Sequence, residues 1–485
     1  MLNLRELVLK MKEDDFHSFS NGLKESKAEK HFLLTQLLRD KKMKEDAIIQ
    51  TLDLSTNAYY TLKSRLYQKI KEFLSTQLSY SKADLYVNIS HIPNLIYNTP
   101  KKEAILILSR LEEDLLKNDM PNALTIVYSA LKKIYANSPH FFHYSQQYNK
   151  NLAYTATLEK AEELLIDFNK KLGEYYLSGD KQFLDVLVFI KKEMYIISRQ
   201  YESHHLRMYK LILEISLAVF FPGMEFPDDD PVEDMLAAMD KIFKSFPNDP
   251  VYQHLDKIYH FLSFEYYHSM GIHKKSAGFL DTINETLPSF LLCNFCAFPS
   301  KILISKLAHY QKLKKQHLLF GENKELEKEY EVTPEDIVHF VNYSKYLAAS
   351  AIYSQEYQEA VNYLNKLVNV VSLRNYFHAD IEIKLLLVIC NSLINKYEVA
   401  DLNLKSVQRK ISETEGDQYE NVKILSKMLQ LQTSSSAQSA GTIDRMLELR
   451  DHFLNSNTGS SKILEWFDFS DDFIRLLGKP VKRFK

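Results

Sequence analysis

The sequence predicts an all-α protein: an α-α superhelix of stacked helix pairs behind a small helical domain at the N-terminus. Three observations predict it. Glycine is scarce, 11 in 485 residues, where an average chain carries about 7%. Phosphate loops, dinucleotide folds and tight β-hairpins all draw on glycine for left-handed backbone or close approach. The aromatic load is 30 Tyr and 28 Phe against one Trp; tyrosine buries a ring and keeps its hydroxyl near water, which suits grooves between packed helices. Apolar residues recur at helical spacing. Tyr59, Leu62, Leu66, Ile70 and Leu74 mark one face of a helix expected over Thr56–Leu78, with Ser55 at its N-cap.

Residues 1–82 read as a separate helical domain, with short amphipathic helices at Leu2–Met11, Asp14–Leu23, Ala28–Arg39 and Glu45–Leu52 before the long one. This part holds 15 Lys/Arg and 11 Asp/Glu, net +4, which leaves −6 for the remainder. Residues 83–430 read as the repeat array. Its pairs are Lys102–Lys117 with Asn122–Ala136, and Leu152–Tyr176 with Asp180–Ser198. His205–Phe220 leads to the loop Pro222–Pro231. Val232–Phe246, Val251–Met270, Lys274–Thr286 and Lys301–Gln316 continue the series. The best-formed pairs are Pro334–Tyr353 with Glu356–Val371, and Phe377–Asn395 with Glu398–Ile411. Residues 431–485 read as a small-residue linker at Thr433–Thr442, capping helices at Ile443–Asn455 and Ile463–Leu477, and a basic tail, Lys479–Lys485.

Composition excludes several classes. With 45% apolar and 26% charged residues the chain has the balance of a folded protein rather than a disordered one. Three cysteines (Cys293, Cys296, Cys390) are too few for a disulfide framework, and the charged N-terminus is no secretory signal. No apolar run reaches about 18 residues, so no membrane span and no membrane partner are expected, and a reducing cytoplasm fits best. The Lys-, Asn-, Ile- and Tyr-rich composition looks like the product of an AT-rich bacterial genome.

Two pairs carry a family resemblance. Leu347–Ala348 is followed by Tyr357 and Ala360, then Leu364 and Leu367; Leu387–Val388 is followed by Tyr397 and Ala400, then Leu404 and Val407. The spacing between the two sets is 40 residues. Large residues early, small ones where helices cross and a Tyr-x-x-Ala start to the second helix resemble tetratricopeptide repeats over residues 334–411. The family's usual period is 34, and its repeat-end proline is missing here. The resemblance implies a concave groove in which Asn342, Lys345, Tyr353 and Glu382 face a peptide or helix of a protein partner.

A second resemblance lies at Glu45–Leu66, EDAIIQTLDLSTNAYYTLKSRL. Apolar residues at Ile48, Leu52, Leu54, Tyr59 and Leu62 look like the core of a helix-turn-helix of the kind found in sigma-type factors. Asp53 stands where that motif usually has glycine, and Ile49 where it has a small residue. The resemblance implies that Ser55, Thr56 and Asn57 open a recognition helix and that Lys63, Arg65, Lys69 and Lys71 meet the phosphate backbone of a nucleic acid.

No pattern carries catalysis. Gly173–Lys181, GEYYLSGDK, is the nearest approach to a phosphate loop, but it is one residue too long and has Asp180 where lysine is needed. Cys293-x-x-Cys296 lacks a second pair; His140 and His143 lack a third ligand; His204 and His205 are expected on different faces. The acids Asp228–Asp230, Glu233 and Asp234 read as the charged start of a helix. The expectation is a non-enzymatic scaffold that needs no metal and no cofactor, with a DNA-binding regulator as the alternative.

Overall fold

A computed structural model of the chain describes Leu4, Val8 and Met43 and residues 13–26, 28–39, 45–77, 82–224, 230–247, 249–293, 297–414, 419–433, 440–458 and 461–478. Among these residues there is no strand; the fold is all-α. The chain divides into two compact units, Met1–Asn151 and Leu152–Lys485.

The first unit holds α1 (Glu13–Glu25), α2 (Glu29–Arg39), α3 (Glu45–Thr51), α4 (Thr56–Gln77), α5 (Lys82–Ser90), α6 (Ile92–Asn98), α7 (Lys101–Lys117) and α8 (Pro121–Ile134); α9 (His140–Ser178) follows. It contains two apolar clusters. One joins Leu4 to Ile70 and includes Leu34, Ile48, Tyr59 and Leu66. The other joins Leu85 to Leu131. The boundary expected at residue 82 thus falls between two clusters inside one unit.

The second unit continues with α10 (Gln182–Ser198), α11 (His204–Phe220), α12 (Val232–Ser245), α13 (Pro250–Ser269), α14 (His273–Glu285), α15 (Leu287–Leu291), α16 (Lys301–Lys312), α17 (Leu319–Glu329), α18 (Ile337–Tyr353), α19 (Tyr357–Val370), α20 (Phe377–Leu393), α21 (Tyr397–Ser412), α22 (Glu420–Thr433), α23 (Ala440–Ser456) and α24 (Asp471–Leu477). From α17 to α23 each helix packs on the next. In addition α18, α20 and α22 touch in succession, and α24 returns to α20. The core is continuous from Ala161 to Leu477 and takes in Phe453, Trp466 and Phe467. Residues 463–477, in the region read as capping helices, thus contribute to this unit's core.

Short reversals between helices need a residue in the left-handed region. With so few glycines, polar side chains supply it: Asp53 (φ 48°), Asp119 (46°), Gln355 (64°) and Asn395 (64°), beside Gly179 and Gly271 (both 71°). Asp and Asn tolerate this conformation better than other non-glycine residues. Gln355 and Asn395 lie 40 residues apart, the spacing read from the sequence. The turns match in their bonds too: Glu356 N donates to Ala351 O at 2.9 Å and Lys396 N to Asn391 O at 2.8 Å. Ala360 and Ala400 are both fully buried, as close helix crossing requires.

Candidate functional site

Helices α18 and α20 are buried on nearly every face. A polar side chain there must find a partner within the protein, because an unpaired buried charge is costly. The residues expected to line a groove show how this is met. Lys345 Nζ lies 2.9 Å from Glu382 Oε2, with both side chains almost fully buried. Asn342 donates from Nδ2 to Ser300 Oγ at 3.2 Å. Burial alone would raise the Glu382 pKa, but Lys345 and the backbone N–H of Leu464 outweigh it and hold the carboxyl below its usual range.

That N–H belongs to a segment that was expected to be helical. The helix predicted over Ile463–Leu477 forms only at Asp471–Leu477, where the Ser470 side chain accepts from Phe473 N. Upstream, the chain follows a non-helical path with Leu464 at φ 51°. Its backbone is gripped by helix side chains. Leu464 N donates to Glu382 Oε1 at 2.8 Å. Tyr353 accepts from Asp468 N at 3.1 Å and donates to Trp466 O at 3.4 Å. Arg450 Nη1 donates to Phe469 O at 2.8 Å, and Asn421 Nδ2 to Ser461 O at 2.7 Å. Phe467 stacks on the Tyr353 ring at 5.9 Å. Tyr353, which the tetratricopeptide resemblance places in a groove, is half-buried and partly covered by this segment, and burial raises its pKa.

Beside this segment lies a cavity of about 530 Å³, bordered by Asn342, Lys345 and Glu382. This is within the range of small-ligand sites, roughly 300–1,000 Å³. One wall is aromatic: Tyr176 stacks on Phe298 at 6.0 Å, and Tyr175 meets Phe221 edge-on at 5.2 Å. Lys301 Nζ sits 5.0 Å above the Tyr176 ring. Lys462, Glu465 and Trp466 of the non-helical segment form another part of the border. His378 also borders it, bonded through Nε2 to the Tyr419 hydroxyl at 3.0 Å. Burial pushes the imidazole below its ordinary pKa; Lys345 acts in the same direction against an opposing Glu382.

The glycine-rich stretch Gly173–Lys181 is explained by this packing rather than by phosphate. A Cβ on Gly179 would lie 2.1 Å from His378 Nε2, and one on Gly173 would lie 2.6 Å from Val338 Cγ1. Sequence reading missed Lys301 and Trp466. Trp466 is the only tryptophan, and that rarity was the available signal. Nothing local marks Lys301 among the other lysines.

In the first unit, Asp53 adopts the left-handed conformation in the turn between α3 and α4, and Ser55 Oγ accepts from Ala58 N at 3.4 Å. Ile48, Leu52, Tyr59 and Leu66 share one buried cluster. Ser55, Thr56 and Arg65 are exposed, and Lys63 and Lys69 are half-buried. Lys63 Nζ is engaged with Glu45 Oε1 at 2.6 Å. The side chains of Asn57 and Lys71 lie outside the described residues, as do Cys296, Asp228, Asp229 and the basic tail.

The remaining motifs take structural positions. Cys293 and Cys390 are buried thiols whose pKa values burial raises. His140 and His143 pack against Tyr135 and Tyr144. His205 bonds to Asp249 at 2.9 Å and His204 stacks on Phe246. Their rings lie 4.2 Å apart, not on the separate faces that were expected. No described helix is long and apolar enough to cross a membrane. No protein-family model, curated protein or solved structure matches the chain.

Proposed function

We propose that this chain is a non-enzymatic binding scaffold whose second unit takes an extended peptide of a protein partner in the cavity beside the α18/α20 face, alongside the segment 461–469 that occupies that face. In this reading the pairs from α17 to α23 are a tetratricopeptide-like superhelix. One observation carries it: the face already holds a non-helical stretch of polypeptide, Ser461–Phe469, by bonds from helix side chains to its backbone. A surface that grips backbone in this way recognises extended chain with little regard to sequence, and a neighbouring pocket then selects a side chain. The aromatic wall with Lys301 over Tyr176 favours a peptide carrying an acidic residue next to an apolar or aromatic one.

The test is a random peptide display selection on the full-length protein, followed by fluorescence anisotropy of the selected peptides. Acidic–aromatic sequences are expected, with affinity falling at least about tenfold for Lys301→Glu, or about 1.4 kcal/mol. Selected peptides that bind Lys301→Glu and Asn342→Ala as tightly as the parent protein would sink the reading.

A second reading, a DNA-binding regulator, is favoured by one observation: the left-handed Asp53 turn and Ser55 cap in front of an exposed Thr56 and Arg65. Its mark is salt-dependent binding of duplex DNA that Lys63→Ala/Arg65→Ala removes. No binding at low salt dismisses it.

A further inference from the structure

Three histidines far apart in sequence meet at one end of α13, α14 and α16. His268 lies in the last turn of α13, His273 opens α14, and His309 lies in the last turn of α16. The turn between α13 and α14 brings the first two together. Gly271, at φ 71°, donates its N–H to His268 O at 3.1 Å, and Ile272 N donates to Tyr267 O at 2.9 Å. The chain thereby doubles back within five residues and sets His273 beside His268. Packing of α13 on α16 supplies His309.

The nitrogens of the three rings, one from each, lie within 4.8 Å of one another. His268 Nδ1 and His309 Nδ1 are 3.4 Å apart. That separation is long for an N–H···N hydrogen bond. It matches two imidazole ligands on a tetrahedral ion, whose nitrogens stand about 3.3 Å apart when each metal–nitrogen bond is about 2.0–2.1 Å. The Phe264 ring stacks on His268 at 5.4 Å and meets His309 edge-on at 5.7 Å, which fixes both ring planes. Exposure is graded: His309 is buried, His268 half-buried and His273 exposed. The nitrogen cluster thus has a closed base and a side open to water.

We propose that His268, His273 and His309 form a binding site for a divalent transition-metal ion of the zinc class, with a fourth position left to water or to a partner's side chain. Three imidazoles are a ligand set that zinc accepts, and the open fourth position is what separates such sites from closed structural ones. An imidazole binds such an ion through the lone pair of a neutral ring nitrogen. Lys312 opposes a cation here, but it is exposed and its long side chain can turn into water. The ion would tie the α13–α14 turn to α16.

The test is titration of metal-free, full-length protein with ZnCl₂ by calorimetry, and with CoCl₂ by visible absorption. The parent protein is expected to take up one tight equivalent of Zn²⁺ and to give the intense absorption of four-coordinate Co²⁺. His273→Ala removes an exposed ligand without disturbing the core and should weaken Zn²⁺ at least about tenfold, the smallest loss typical when a metal site's support is cut. His268→Gln/His273→Ala should abolish the tight equivalent and the Co²⁺ spectrum. No stoichiometric uptake by the parent protein, or uptake that survives in the double variant, overturns the proposal. Circular dichroism of each variant identifies one that has failed to fold; His273→Ala, at a solvent-facing position, then decides the matter alone.

Discussion

The α3–α4 block at 45–77 and the pair block at 337–412 share the same helical periodicity of apolar residues, yet their polar residues end in opposite environments. In the first, Ser55, Thr56 and Arg65 stay exposed. In the second, Asn342, Lys345 and Glu382 are buried and bonded within the protein, and Tyr353 is roofed by Phe467 and Asp468. Helical periodicity assigns a residue to a face. Whether that face meets water depends on what the rest of the chain lays over it, and here a segment more than 80 residues downstream covers part of it.

The largest expected effect strikes the buried pair. Lys345→Ala leaves the Glu382 carboxylate buried without its cation and should cost about 3–5 kcal/mol in urea unfolding. Lys345→Met/Glu382→Leu should recover much of that loss. A Lys345→Ala protein as stable as its parent would mean that the face is open to water after all, and the contrast with the first block would fail.

Gly179→Ala comes next. It sets an alanine at φ 71° and drives its Cβ into the His378 ring. A cost of about 1–3 kcal/mol is expected from backbone strain and displacement together. His378→Ala made in the same chain should relieve the steric part.

Acid sharpens the comparison on the same side of the molecule. The folded pKa of His378 lies below the 6.5 of a free histidine. The unfolded chain therefore binds this proton first, and the stability it contributes is complete above pH 6.5 and lost as pH falls through the lowered folded value. Glu382, also lowered from its usual 4.5, adds a second loss that begins near that pH and continues below it. Urea midpoints measured from pH 8 to pH 4 should fall with acid, and His378→Gln should flatten the decline between pH 7 and 5.

Smaller effects belong to the exposed block. Ser55→Ala removes an N-cap and should cost about 1 kcal/mol, visible as a lower melting temperature if the first unit melts as a separate step. Arg65→Ala should leave the urea midpoint where it was, since the side chain is exposed and makes no ion pair with a described residue. A measurable loss at Arg65 would mean that this face is covered too.

The helices themselves were readable. Long apolar periodicities, the Ser55 cap and the Ala360/Ala400 repeat are local signals, and the elements around them form where the spacing predicted. The stretch 463–470 was not readable, because its helical reading rested on apolar content alone. The competing fact, that Glu382, Tyr353 and Arg450 hold its backbone, is distributed over more than 100 residues. The histidine cluster was hidden for the same reason: His268 and His273 are neighbours, but His309 reaches them only through the packing of α13 on α16.

By itself the sequence determined the all-α class, the 40-residue spacing of the two best-formed pairs and the start of α4 after Ser55. All of these follow from interactions within a few residues, where side-chain spacing and backbone torsion decide. Tertiary structure alone decided which polar residues are paired inside, where the cavity opens and which three imidazoles converge. Those outcomes depend on distances between segments far apart in the chain, and such distances exist only once the helices have packed.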